Sequence, residues 1–324
     1  MVRYDKSAAD KGSKYIDDRR SQGGRRGGGA SGAGLPMGKV GGGLGGLLVL
    51  ILGLIFGGDA LGGGGGGTTN AGFDINVPAI DGDSSGVGTA GATGTDVPDP
   101  QADTKEFMGF LMYDIQETWM EYFADNGLQY QETTMVIFTG SVSTGCGNAT
   151  SAVGPFYCPA PGDNKVYIDF DFYDELARRF GAPGDFAQAY VIAHEIGHHI
   201  QSITGYSDAV RQATQQNPNL KNELSVRQEL QADCFAGVWA HSAAERTTSA
   251  GLPIIERGDI NEGLAAAAAV GDDRIQEQAG MSVDPHGWTH GSAEARQQWF
   301  TVGLDTGDPA QCNTYEVDRS EVGL

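Results

Sequence analysis

The sequence predicts an α+β protein: a mainly helical domain with a small sheet, preceded by one membrane-spanning helix. Three observations lead there. Residues 40–58 form an uncharged run of 19 residues bracketed by Lys39 and Asp59, close to the roughly 20 that a helix needs to cross a bilayer. Beyond residue 103, apolar residues recur mostly at helical spacing. Only two short runs, 134–139 (TMVIFT) and 166–170 (VYIDF), carry the β-branched and aromatic composition of strands.

Taken in order, residues 1–39 read as a disordered basic arm bound for the cytoplasm, with nine Lys/Arg against four Asp/Glu. The remaining chain holds 12 basic and 38 acidic residues. That acidic body excludes nucleic acid as its partner, because phosphates are repelled; it favours cationic peptides only by a weak, salt-screened attraction. Arg19, Arg20, Arg25, Arg26 and Lys39 precede the apolar run, so the positive-inside rule puts the N-terminus in the cytoplasm and the body outside. A cleaved signal peptide fits less well: the run starts 39 residues in, its apolar core is long, and no A-x-A-like site follows. A buried core helix is the other competing reading. Gly41/Gly45 and Gly53/Gly57 have the spacing that pairs spans, or simply reflect abundant Gly.

Residues 59–102 read as a flexible linker, with six consecutive glycines at 62–67. The folded domain is expected over 103–324. Asp103 and Glu106 resemble a capping box, followed by Phe107, Phe110, Leu111, Ile115, Trp119, Tyr122 and Phe123 on one helix that Asn126-Gly127 stops. Asp185 is expected to cap a helix reaching Thr204. Further helices are expected over 222–245, from Asp259, and from Ser292 to Phe300.

All four cysteines lie beyond the apolar run. An even count in an exported domain suggests two disulfides, Cys146–Cys158 across a local loop and Cys234–Cys312 tying a helix to the tail. Four free thiols is the alternative; zinc ligation is a poorer one, since no C-x-x-C occurs.

His194-Glu195-Ile196-Gly197-His198 is an H-E-x-x-H motif within a helical stretch. Four residues make about one turn, so both imidazoles leave the same face and can share one zinc ion. Glu195 lies about 100° round the helix, where it can take a proton from a zinc-activated water. The metzincin continuation fails, because Gln201 and Thr204 stand where Gly and His belong. A third ligand must therefore come from farther along. Glu229 is the strongest candidate and Glu223 a weaker one. Asp233 follows Glu229 by one turn and can fix the tautomer of a ligand His. The small residues Ala232, Ala236, Gly237 and Ala240 permit a close helix approach. His290 is the candidate donor to a developing oxyanion, with Arg296, Tyr206 and His286 as rivals. His199 and His241 read as structural. A di-iron site would need a pair of E-x-x-H motifs, and only Glu195 to His198 fits. A membrane-tethered scaffold without activity is the other alternative.

These blocks resemble the neutral zinc metallopeptidases of bacteria, the YpfJ-like family. The resemblance rests on Asp17-Asp18-Arg19-Arg20, Cys146-Gly147, the run 154–159 (GPFYCP), 166–169 (VYID), 194–199, 229–240 (ELQADCFAGVWA) and Thr289-His290-Gly291-Ser292. It implies a zincin-like fold with a gluzincin-like ligand set of two His and a Glu on a following helix. It also implies one zinc ion, a peptide or protein substrate and attachment to the cytoplasmic membrane by a single N-terminal span.

Overall fold

A computed structural model describes residues 1–22, 99–180 and 184–324. The run expected to span a membrane lies outside the described residues; among those described, no helix is long and apolar enough to cross one.

The helices are α1 (Lys6–Gly12), α2 (Ala102–Asp125), α3 (Asp171–Phe180), α4 (Asp185–Ile203), α5 (Tyr206–Gln216), α6 (Lys221–Glu245), α7 (Arg257–Ala269), α8 (Asp272–Gln278) and α9 (Ala293–Thr306). The strands are β1 (Ile16–Asp18), β2 (Thr134–Phe138), β3 (Ser141–Thr144), β4 (Gly147–Thr150), β5 (Phe156–Cys158) and β6 (Lys165–Asp169). The α+β class is as expected: mostly helix with two small sheets. The main sheet runs β1-β2-β6-β5, with β1, β2 and β6 parallel and β5 antiparallel at the edge. β3 and β4 make a separate hairpin.

The arm expected to be disordered is folded over its first 22 residues. Val2, Ala9 and Tyr15 are buried, and Ile16 pairs with Met135 and Asp18 with Ile137. α1 lies on α2 with Gly12 against Gly109, where a Cβ on Gly12 would sit 1.7 Å from the Gly109 carbonyl oxygen. No side chain fits there, so glycine is required. The error in the sequence reading has a physical source. Three residues, two of them acidic, carry no strand periodicity, and β1 exists only through its pairing with β2.

The long helices sit close to where periodicity put them. α2 ends at Asn126 and Gly127 (φ +70°) as expected, but Gln101 rather than Asp103 precedes its first turn, without a side-chain cap. Asp185 lies inside the first turn of α4; its carboxylate accepts the Val2 backbone N–H at 2.8 Å. α7 starts at Arg257, with Glu256 and Asp259 capping each other's backbone N–H groups. Ser292 does cap α9, accepting from the Ala295 N–H at 3.1 Å.

α4, α6 and α9 form the centre of the core, with the sheet and α2 against α4. Their contacts are unusually close because small residues meet. A Cβ on Gly197 would lie 2.9 Å from the Ala232 carbonyl oxygen, and one on Gly303 would lie 1.9 Å from that of Cys234. Trp119 meets Phe235 edge-on, and Trp239 stacks on Phe186. Buried Asp114 ties α2 to the end of α6, accepting from Trp239 Nε1 at 2.9 Å and from both Arg246 guanidinium nitrogens at 2.7 and 2.8 Å. Both expected disulfides are present. Cys146–Cys158 fastens the β3–β4 region to β5. Cys234–Cys312 closes a 78-residue separation between α6 and the tail, a constraint on the unfolded chain worth roughly 4 kcal/mol.

Candidate metal centre

α4 presents His194 and His198 on one face, their rings 4.7 Å apart between centroids. α6 crosses α4 at Gly197 and Ala232, and this close approach brings Glu229 within reach of both rings. His194 Nε2 lies 3.2 Å from Glu229 Oε2, and His198 Nε2 lies 3.5 Å from Glu229 Oε1. The three candidate donor atoms lie within 4.8 Å of one another.

The donor chemistry shows that this cluster fits a cation. His194 Nδ1 faces Asp233 Oδ1 at 2.8 Å and must donate to it. A neutral His194 then turns a lone pair on Nε2 toward a carboxylate oxygen, an arrangement of two acceptors that only a proton or a cation resolves. In the absence of metal the proton wins. Burial opposes charge on His194, but Asp233 and Glu229 outweigh it and hold its pKa up at about 9. Burial likewise opposes ionisation of Glu229, yet His198, His290 and His194 keep its carboxyl well below the usual range.

Behind the cluster, Asp233 is held in place. It accepts from Arg296 Nε at 2.8 Å, from a second Arg296 nitrogen at 3.0 Å, and from the Tyr190 hydroxyl. Arg296 therefore supports Asp233 and, through it, His194 from behind. Gln201, read in the sequence as a departure from another motif, has a role of its own. Its Oε1 accepts from His198 Nδ1 at 2.9 Å, while its Nε2 donates to Gln228 O at 2.7 Å and Gln231 Oε1 at 3.1 Å. Its position three residues past His198, on the same face of the helix, was the available signal. Tyr190, one turn before His194, could have been found the same way.

Glu195 is buried, with burial raising its pKa against the lowering pull of His198 and His194. The Tyr157 backbone N–H adds a smaller lowering pull. Tyr157 belongs to β5, an edge strand of the main sheet that packs against α4. Glu223 is not near it: it is paired with Arg227 at 3.1 Å and Arg319 at 3.3 Å.

His290 is brought to the cluster by the turn before α9. Asp272 accepts the backbone N–H groups of Thr289, His290 and Gly291 at 2.7, 2.6 and 3.0 Å, and lies 3.3 Å from His290 Nδ1. Burial opposes its charge, and Glu229 and Asp272 outweigh burial to raise its pKa. Of the rivals, His286 is exposed in a short turn. Tyr206 is exposed and stacked 5.7 Å from Tyr315. Tyr315 itself went unnoticed in the sequence: its hydroxyl is buried with no hydrogen-bond partner. The two histidines read as structural are so. His199 Nε2 donates to Gln131 O at 2.6 Å, and His241 Nδ1 to Leu304 O at 2.7 Å. The other metal-capable group among the described residues, Asp185, Asp259 and Glu262, contains no histidine.

Comparison with known proteins agrees with this geometry. Residues 6–315 match a family model described as "Putative neutral zinc metallopeptidase", and the chain belongs to that family. It is 41% identical over 305 residues to the uncharacterized protein YpfJ of Escherichia coli strain K12, covering 94% of this chain and 96% of YpfJ. It is also 50% identical over 191 residues to the uncharacterized protein Mb2605 of Mycobacterium bovis, covering 57% of this chain and 63% of that one. No solved structure matches.

Proposed function

We propose that the protein hydrolyses peptide bonds at a single zinc ion held by His194, His198 and Glu229, with Glu195 as the general base. The observation that carries this reading is the convergence of those three donor sets within 4.8 Å, one helical position from a buried carboxylate. A zinc ion there would polarise the scissile carbonyl and lower the pKa of the attacking water toward 7. Glu195 Oε would take a proton from the attacking water as its oxygen bonds to the carbonyl carbon, and would pass that proton to the amine nitrogen as the C–N bond breaks. His290, anchored on Asp272, donates to the oxygen that gains negative charge.

The substrate class follows from the sheet. β5 is an antiparallel edge strand beside Glu195, and an extended peptide can add to such an edge through its backbone. The helix that carries His194 and His198 packs against the sheet, which supports a zincin-like reading of the domain, with Glu229 completing a gluzincin-like ligand set.

The test is to load the full chain with zinc and compare it with Glu195→Gln on a peptide library, reading cleavage products by mass. About one zinc per chain in both, with cleavage only in the wild type, is the expected result. Equal cleavage by Glu195→Gln would remove Glu195 as the base, and a zinc-loaded wild type that cleaves nothing would favour the scaffold reading.

A further inference from the structure

We infer that the first 22 residues and the metal-binding domain lie on the same side of any membrane. An arm inside and a domain outside would separate strands that the sheet pairs. β1 is hydrogen-bonded in parallel to β2 from Ile16 to Asp18, and β2 is the neighbour of β6. Strands on opposite sides of a bilayer cannot pair, whether they belong to one copy or two.

The pairing is not an isolated contact. Tyr4 stacks on Phe110 at 4.9 Å between centroids, Tyr15 is buried, and Gly12 meets Gly109 too closely for any side chain. Sequence charge tells the same story once the partners are known. Basic residues of the arm are matched to acids beyond it: Arg3 to Glu256 at 2.7 Å, Lys6 to Glu106 at 2.7 Å, Lys14 to Glu132 at 3.2 Å, and Arg20, one of the residues counted toward the positive-inside rule, to Asp99. Lys105 and Lys165 of the body in turn reach Asp18 and Asp17 at 2.9 and 3.8 Å. Individually such exposed pairs contribute little, but together they give the arm a specific seat. The basic arm and acidic body are complementary surfaces of one fold.

Two measurements test this on the full chain in the cells that make it. All native cysteines are paired, so single cysteines introduced at exposed Ser7 and Ala250 can be labelled selectively with a membrane-impermeant maleimide. Both positions should behave alike in intact cells, and both should label after detergent lysis. One labelled and the other protected overturns the inference. A zero-length carbodiimide should also join Lys6 to Glu106 and Lys14 to Glu132 in isolated membranes, with the linked peptides identified by mass. Absence of both links, with other carboxylate–amine links present, overturns it. Gly12→Leu should abolish the Lys6–Glu106 link and lower the melting temperature by several degrees. An arm across the membrane would leave the melting temperature unchanged.

Discussion

His194 Nδ1 and Asp233 Oδ1 are 2.8 Å apart in a fully buried setting, and that contact decides which nitrogen of His194 is free to bind metal. Asp233 stands one turn past Glu229 on α6, so one helix supplies both a ligand and the group that orients another. Asp233→Asn keeps the shape but removes the charge that balances Arg296. Zinc affinity should fall about 10- to 100-fold, and stability by roughly 3 kcal/mol from the stranded guanidinium. Competition against a zinc chelator and denaturant melts would read the two effects. Unchanged affinity would mean that Asp233 does not orient the ligand.

The crossing of α4 and α6 at Gly197 sets the position of Glu229. A Cβ there meets the Ala232 backbone at 2.9–3.0 Å, so the helix itself must give way. Gly197→Ala should cost about 1–3 kcal/mol by overpacking and weaken zinc binding as Glu229 moves outward. Equilibrium zinc titration checks this, and normal affinity with normal stability would show that the helices have slack.

His199 is buried and its pKa is pushed down to about 4, burial outweighing its bond to Gln131. The unfolded chain takes up this proton near pH 6.5, whereas the folded one resists until about 4. Stability is therefore lost as pH falls between those values, by roughly 3 kcal/mol from this group. His194 runs the opposite way in the metal-free protein: its raised pKa of about 9 contributes stability below pH 6.5 that is lost as pH rises through 9. Denaturant melts of the chelated wild type and His199→Gln at pH 7 and 4.5 isolate the His199 part. The variant should lose less stability on acidification, and equal losses would refute the assignment.

Tyr315 carries a buried hydroxyl without a partner. Removing an unsatisfied polar atom relieves a desolvation cost. Tyr315→Phe should therefore be as stable as the wild type, or more stable by about 1 kcal/mol. A loss of stability in thermal melts would reveal a bond that the hydroxyl makes.

What the sequence disclosed follows from how local each signal is. His194, Glu195 and His198 are legible because one helical turn sets their geometry. Glu229 and Asp233 are legible because they repeat that spacing on a second periodic stretch. The cysteine pairs were readable from their count and placement. Gln201 was visible but misjudged, since it was tested against a ligand pattern and not as a neighbour of His198. β1 was invisible, because Ile16–Asp18 becomes a strand only when Met135–Ile137 lie beside it. The charges of the arm were counted correctly, but their partners lie up to 253 positions away, where no local pattern reaches.

The walls of the metal site come from widely separated parts of the chain, and this orders events during synthesis. His194 and His198 leave the ribosome first, and Glu229 follows. Asp272, the Thr289–Gly291 turn, Arg296 and the tail fastened at Cys312 arrive last. On the proposed mechanism, the site is complete only once the chain has been made through Cys312.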